Sequence, residues 1–166
     1  MSRYRRPDVT GATVFFTVAL AVRGSTLLTD KVDLLRDAVR QTKTERPFIV
    51  NAWVVLPDHM HAVWTMPTGD RDYGVRWGAI KSRFTRAFIS EVGWNPTLRS
   101  SSKVRKGDAG LWQRRFWEHH IRDEADYRAH VEYCWHNPVK HGLTARAEDW
   151  PYSSVHRDRR CGRFMV

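Results

Sequence analysis

Apolar residues fall along the chain in blocks whose spacing predicts alternating strands and helices. From Val14 to Val22 they run almost unbroken, rich in Val and Phe and bounded by Gly11 and by Gly24-Ser25, which predicts a buried β-strand. Leu35, Ala38, Val39 and Thr42 then recur at helical spacing. Thr29-Asp30 offers an N-cap for that helix, Asp33 places an acid in its opening turn, and Pro47 stops it after about Glu45. Phe48 to Leu56 and His59 to Met66 are apolar runs joined by a Pro57-Asp58 turn, a β-hairpin that Pro67-Thr68-Gly69-Asp70 ends. Trp77, Ile80, Phe84, Phe88 and Val92 return to helical spacing, with Arg76, Lys81, Arg83 and Arg86 on the opposite face. A fourth strand over about Arg115 to Arg122 leads to Asp123, the N-cap of a third long helix, which Pro138 is expected to end near Asn137.

The order β-α-β-β-α-β followed by a helix predicts an α+β, ferredoxin-like antiparallel sheet with strands one and three side by side in its middle, and an additional C-terminal helix. No repeat or second domain interrupts it, so residues 1–166 are expected to form one domain. The stretch from about 93 to 110 is poor in apolar residues and carries Lys103, Arg105 and Lys106, which predicts a mobile basic loop.

The same pattern places the polar residues that can do chemistry. On a strand alternate side chains share a face, so His59 and His61 point one way while Met60, Ala62 and Trp64 point to the other layer. Two histidines with one residue between are a weak signal alone, more often half-exposed residues at a hairpin start than a site. The third helix, at about 100° per residue, separates two stripes. Tyr127, Val131 and Cys134 form an apolar one; Asp126, His130, Tyr133 and Asn137 form a polar one beside it. Singly, Tyr133 reads as an amphipathic side chain reaching for water and Asn137 as a helix-end residue before proline. Together, a hydroxyl and an amide projected from one helix toward two imidazoles have the parts for phosphoryl transfer.

Charge sharpens the choice of partner. The chain has 28 Lys+Arg against 18 Asp+Glu, a formal +10, which favours a polyanion, nucleic acid above all. Cys134 and Cys161 are too few and too far apart for a disulfide framework or a cysteine zinc site, which fits a reducing cytoplasm. The basic Arg3-Tyr4-Arg5-Arg6 ahead of an apolar run imitates a signal peptide, but Pro7-Asp8 interrupts the two parts and no stretch is long enough to span a membrane.

Longer stretches resemble a known family. They are residues 51–61, which end in His59-Met60-His61, and 111–122, which contain Phe116-Trp117-Glu118-His119-His120. Residues 126–133 ending in Tyr133, the run Asn137-Pro138-Val139-Lys140-His141-Gly142 and the run Trp150-Pro151-Tyr152-Ser153-Ser154 continue the likeness. It extends over nearly the whole chain, in order, to the HUH-type tyrosine transposases of the IS200/IS605 group and, within them, the REP-associated tyrosine transposases. The resemblance implies His59 and His61 as metal ligands, with Met60 between them a permissible departure from the family's apolar middle residue, Asn137 as the helix-borne ligand and Tyr133 as nucleophile. It implies Mg²⁺, with Mn²⁺ as a working substitute, and a 5′-phosphotyrosine intermediate on single-stranded DNA at imperfect palindromic hairpins of repetitive extragenic elements. It departs from the family's pattern in the basic stretch around Ser100 to Lys106 and in a C-terminus that ends early at Val166.

A tyrosine hydroxyl, with a free pKa near 10, needs a polarised phosphate to attack at neutral pH. Phosphate contacts are expected from Arg3, Arg5, Arg6, Arg83 and Arg86, with aromatic stacking on unpaired bases. Insertion-sequence relatives dimerise and donate the tyrosine across subunits, whereas the REP-associated group resembles monomers acting in cis; a monomer with cytoplasmic, nucleoid-associated placement and no membrane partner is the expectation. Two other readings are an RNA-binding module of the RRM type, whose aromatic signature is absent, and a zinc hydrolase, for which His, His and Asn are a poor ligand set.

Overall fold

The structure is a computed structural model that describes residues 7–93 and 109–163; Arg3, Arg5, Arg6 and the Lys103-Arg105-Lys106 cluster lie outside them. Four strands, β1 (Thr13–Ala19), β2 (Ile49–Val55), β3 (His59–Thr65) and β4 (Trp117–His120), form an antiparallel sheet in the order β2-β3-β1-β4. The ferredoxin-like α+β arrangement is therefore present, with β1 and β3 central. Its helices are a single turn α1 (Leu27–Asp30), α2 (Val32–Glu45), α3 (Tyr73–Val92), α4 (Glu124–Lys140) and α5 (Val155–Arg160).

Alternation along β1 and β3 divides the molecule into two layers. Val14, Phe16 and Val18 with Met60, Ala62 and Trp64 face α2 and α3 in one core cluster. There Trp64 stacks on Trp77 at 4.2 Å and 15°, with Phe16 against both. Phe15 and Val63 face the other way and pack with Val131, Cys134 and Trp135 of α4 in a second cluster. Burial pushes the Cys134 thiol far up, so it behaves as a small apolar residue.

Three local expectations change. The first helix is broken at Lys31: Thr26 and Asp30 bond each other across α1, and α2 starts at Val32 without a side-chain cap. Arg76, expected on the exposed face of α3, is buried, because its guanidinium reaches Asp70 and the carbonyls of Arg46 and Pro47 and ties α3 to the end of α2. The third helix does not stop at Asn137. Asp123 caps its start, accepting from the Asp126 N–H at 2.8 Å, and the helix runs through Pro138 to Lys140. Proline deletes only its own N–H donor, and the next turn closes regardless, with the His141 N–H bonded to the Asn137 carbonyl at 3.0 Å. Gly142, at φ +67°, ends it: its N–H bonds the Val139 carbonyl and the Leu143 N–H bonds the Pro138 carbonyl. The extra turn brings Lys140 and His141 round to the face occupied by Tyr133.

Beyond α4 the chain returns along the free edge of β2. Ser153 bridges Val54, the Val55 N–H bonds the Tyr152 carbonyl, and Arg157 donates to the carbonyls of Val50 and Asn51. An edge strand that would otherwise offer unpaired backbone is thereby covered.

Candidate active site

His59 and His61 stand on the α4 side of central strand β3, their rings 5.1 Å apart and both buried. Each imidazole is anchored through Nδ1. His59 Nδ1 lies 2.6 Å from the Asp58 carboxylate, and His61 Nδ1 lies 2.9 Å from the Thr17 hydroxyl on the neighbouring strand. Anchoring Nδ1 sets the ring orientation and directs Nε2 away from the sheet, the arrangement metal-bound histidines need from their outer partners. His61 Nε2 is buried and has no hydrogen-bond partner. Burial, then the neighbouring His59, His141 and Lys140, push the His61 pKa down to about 3, so the ring is neutral, and in the tautomer whose Nδ1 donates to Thr17 the Nε2 lone pair is available. Burial also lowers His59, against the opposing pull of Asp58. Asp58 itself would be raised by burial, but the His59 bond, the Gly24 N–H and Arg23 outweigh that and hold it low.

Helix α4 lies across this pair. Asn137 is 1% exposed, and both its Oδ1 and its Nδ2 lack a hydrogen-bond partner. A buried amide with nothing to bond is costly, and its Oδ1, like the unpartnered His61 Nε2, is a ligand type that an ion would satisfy. One turn earlier, Tyr133 is 37% exposed, and its ring centroid lies 5.1 Å from that of His61. Lys140 holds its ammonium 5.1 Å over the same Tyr133 ring, and the His141 ring is 5.3 Å from His59. One chain thus brings Tyr133 against the His59-His61 pair, with Asn137 buried one turn further along the same helix.

Beside them sits a second polar cluster. His119, Asp126 and His130 place one ligand atom each within 4.8 Å of one another and could hold an ion. The carboxylate is, however, already saturated: Oδ2 accepts from His119 Nε2 and from the backbone and side chain of Arg122, and Oδ1 faces His130 Nδ1 at 3.1 Å. The His119 bond first, then Arg122, hold this carboxyl well below its usual range. A hydrogen-bonded hub explains it without an ion.

The arginines divide. Arg83 bonds Thr42 and Glu45 across the α2-α3 interface. Arg86, with Lys81 and Arg114, lines a cleft of about 300 Å³. Both lie on α3, the layer away from Tyr133. Of the other histidines, His120 pairs with the Tyr73 hydroxyl on that opposite layer, and His136 is exposed. Sequence reasoning treated Asp58 only as a turn residue and passed over Thr17, Lys140 and His141; a carboxylate directly before the first histidine was the one signal that pointed to Asp58.

No family model matches the chain. It is 46% identical over 166 residues to the REP-associated tyrosine transposase of Escherichia coli strain K12, spanning 100% of this chain and 90% of that protein. A Haemophilus influenzae relative of the same family name is 42% identical over 158 residues, 95% of this chain and 88% of its own. A solved structure of the REP-associated tyrosine transposase bound to a REP hairpin matches with a TM-score of 0.85 at 47% identity, over 99% of this chain and 89% of that one.

Proposed function

Because the chain belongs to the REP-associated tyrosine transposases, we propose that it cleaves and rejoins single-stranded DNA beside a REP-like palindromic hairpin, with Tyr133 as nucleophile. The observation that carries this reading is the Tyr133 ring lying 5.1 Å from His61, whose buried Nε2 has no partner.

His59, His61 and Asn137 would hold a divalent ion, Mg²⁺ or Mn²⁺, whose contribution is to draw charge from the scissile phosphate. The chain's own residues do the rest. Asp58 and Thr17 fix the two rings, so no reorganisation is needed when the phosphate arrives. The Tyr133 oxygen attacks phosphorus in line, a P–O bond to tyrosine forms, the P–O bond to the 3′ oxygen breaks, and that oxygen leaves as a 3′-OH carrying a proton. The 5′-phosphotyrosine conserves the energy of the broken bond, so attack by a 3′-OH reverses the step without a nucleotide cofactor. Lys140, one turn beyond Asn137, lies where a cation offsets the charge of the incoming phosphodiester. The presence of nucleophile and imidazoles in a single chain supports a monomer acting in cis.

The test is direct. Protein is incubated with a hairpin oligonucleotide bearing single-stranded flanks and Mg²⁺ or Mn²⁺, then denatured. Wild type is expected to carry DNA covalently and Tyr133→Phe none; equal adduct from both would end this mechanism.

A further inference from the structure

We infer that Trp117 is a stacking platform for an unpaired DNA base flanking the phosphate attacked by Tyr133, an assignment that rests on the strand-transfer reading above. Trp117 lies on edge strand β4 and is 56% exposed, an unusual position for so large an apolar ring unless something covers it. Its place in the sheet is fixed by register. Thr17 pairs with Trp117 on one side and with His61 on the other, so platform and imidazole share a row and a face, two strand spacings or about 10 Å apart. Phe15 bridges them: its ring lies 5.7 Å from Trp117 and 5.7 Å from Tyr133.

The ring is also held from behind. Trp117 stacks on His119 at 6.0 Å and 6°, and His119 stacks on His130 at 4.7 Å and 16°. Asp126 holds both imidazoles, its carboxylate meeting His119 Nε2 at 2.8 Å and its backbone carbonyl meeting His130 Nδ1 at 2.8 Å, and the Asp123 carboxylate in turn accepts from the Asp126 N–H. Three near-parallel rings, the two imidazoles held by one aspartate, form a preorganised flat surface, which lowers the entropy lost on stacking a partner. This gives the second polar cluster a task that needs no metal.

Charge selects the occupant. Arg122, bonded to the same carboxylate, leaves its side chain 74% exposed beside the column, and the chain carries a formal +10. A flat exposed ring next to a cation suits a nucleobase and its phosphate. In a duplex both faces of an internal base are already stacked, so the occupant is single-stranded.

The experiment uses a hairpin oligonucleotide with single-stranded flanks carrying 2-aminopurine at successive positions, and the same hairpin without flanks. Wild type is expected to quench one flank position. Trp117→Ala is expected to lose that quench and to bind the flanked hairpin about tenfold more weakly, with unchanged affinity for the bare hairpin. Trp117→Phe should restore most of both, which separates stacking from a folding defect. Equal loss on flanked and bare hairpins, or a quench that persists in Trp117→Ala, overturns the assignment. Tyr133 adduct is measured in the same samples: adduct with no Trp117 dependence sinks the platform alone, whereas Trp117-dependent quenching without adduct sinks the nucleophile and leaves the platform standing.

Discussion

The two faces of one sheet are finished differently. Toward α2 and α3, alternate residues of β1 and β3 meet rings, and the layer closes on stacked Trp64 and Trp77. Toward α4 the same two strands present His59, His61 and Thr17, and the helix sets Asn137 and Tyr133 beside its apolar Val131, Cys134 and Trp135. Both faces contain buried polar atoms without hydrogen-bond partners. Toward α2 and α3 these include the indole N–H groups of Trp53, Trp64 and Trp77, which only donate, and a single His120 Nδ1; toward α4 they are His61 Nε2 and the Asn137 amide, whose Oδ1 offers lone pairs. The α4 face thus has both an imidazole and an amide oxygen to offer a cation, the other face one imidazole among indoles. One layer therefore supplies stability, and the other spends part of its packing on a site.

Exchanging residues on opposite faces of β3 tests that division most severely. His61→Leu should cut covalent DNA attachment by at least about a hundredfold, the scale of a lost electrostatic contact in phosphoryl transfer, with the melting temperature of the metal-free protein unchanged or raised. Trp64→Ala should do the reverse, costing about 3–5 kcal/mol by urea unfolding while the fraction still folded attaches DNA normally. A large melting loss in His61→Leu would collapse the distinction. Mixing His61→Leu with Tyr133→Phe should restore no adduct, because in a cis enzyme neither chain holds a complete site; recovered adduct would mean that subunits exchange the tyrosine.

The periodic parts of this architecture were legible in the chain. Alternation put His59 and His61 on one face and Met60, Ala62 and Trp64 on the other, and the 100° rule separated Tyr133 from the apolar stripe. What periodicity could not carry were contacts between elements. Arg76 reads as an exposed helix charge because the carbonyls of Arg46 and Pro47 that bury it lie some thirty positions away. Thr17 reads as a strand filler until register sets it against His61. Pro138 reads as a stop because the rule weighs the donor it removes and not the Gly142 cap that lets one more turn form. That turn is what brings Lys140 and His141 to the site.

A smaller change probes the anchoring behind the site. Asp58→Asn keeps the shape but removes the charge that holds His59 Nδ1, and should raise the Mn²⁺ concentration for half-maximal adduct by about ten- to a hundredfold. An unchanged metal dependence would show that the ring is oriented by packing alone.

Acid provides a graded test of the same face. His59 and His61 are both held below the ordinary imidazole value of 6.5, His61 at about 3, chiefly by burial. The unfolded chain therefore takes up protons near pH 6.5 that the folded chain refuses, so stability is full above that pH and falls as pH drops below it. For His61 the slope is about 1.4 kcal/mol per pH unit. Urea midpoints between pH 6.5 and 5 should decline in the metal-free wild type and decline less in His61→Leu. Identical slopes would remove the histidine from the account.

The least effect is expected from the arginines of α3, and they should differ from each other. Arg83 is engaged with Thr42 and Glu45, so Arg83→Ala should lower stability by about 1 kcal/mol or less, the scale of a partly exposed ion pair. Arg86 is exposed on its cleft and should act on DNA if it acts at all. Arg86→Ala is expected to weaken hairpin binding a few-fold at low salt and to reduce the slope of log affinity against log salt by about one, the signature of a single phosphate contact. A salt slope that falls with Arg83 and not with Arg86 would mean that the α2-α3 interface opens to meet the duplex, and the quiet face of the sheet would then have a share in recognition.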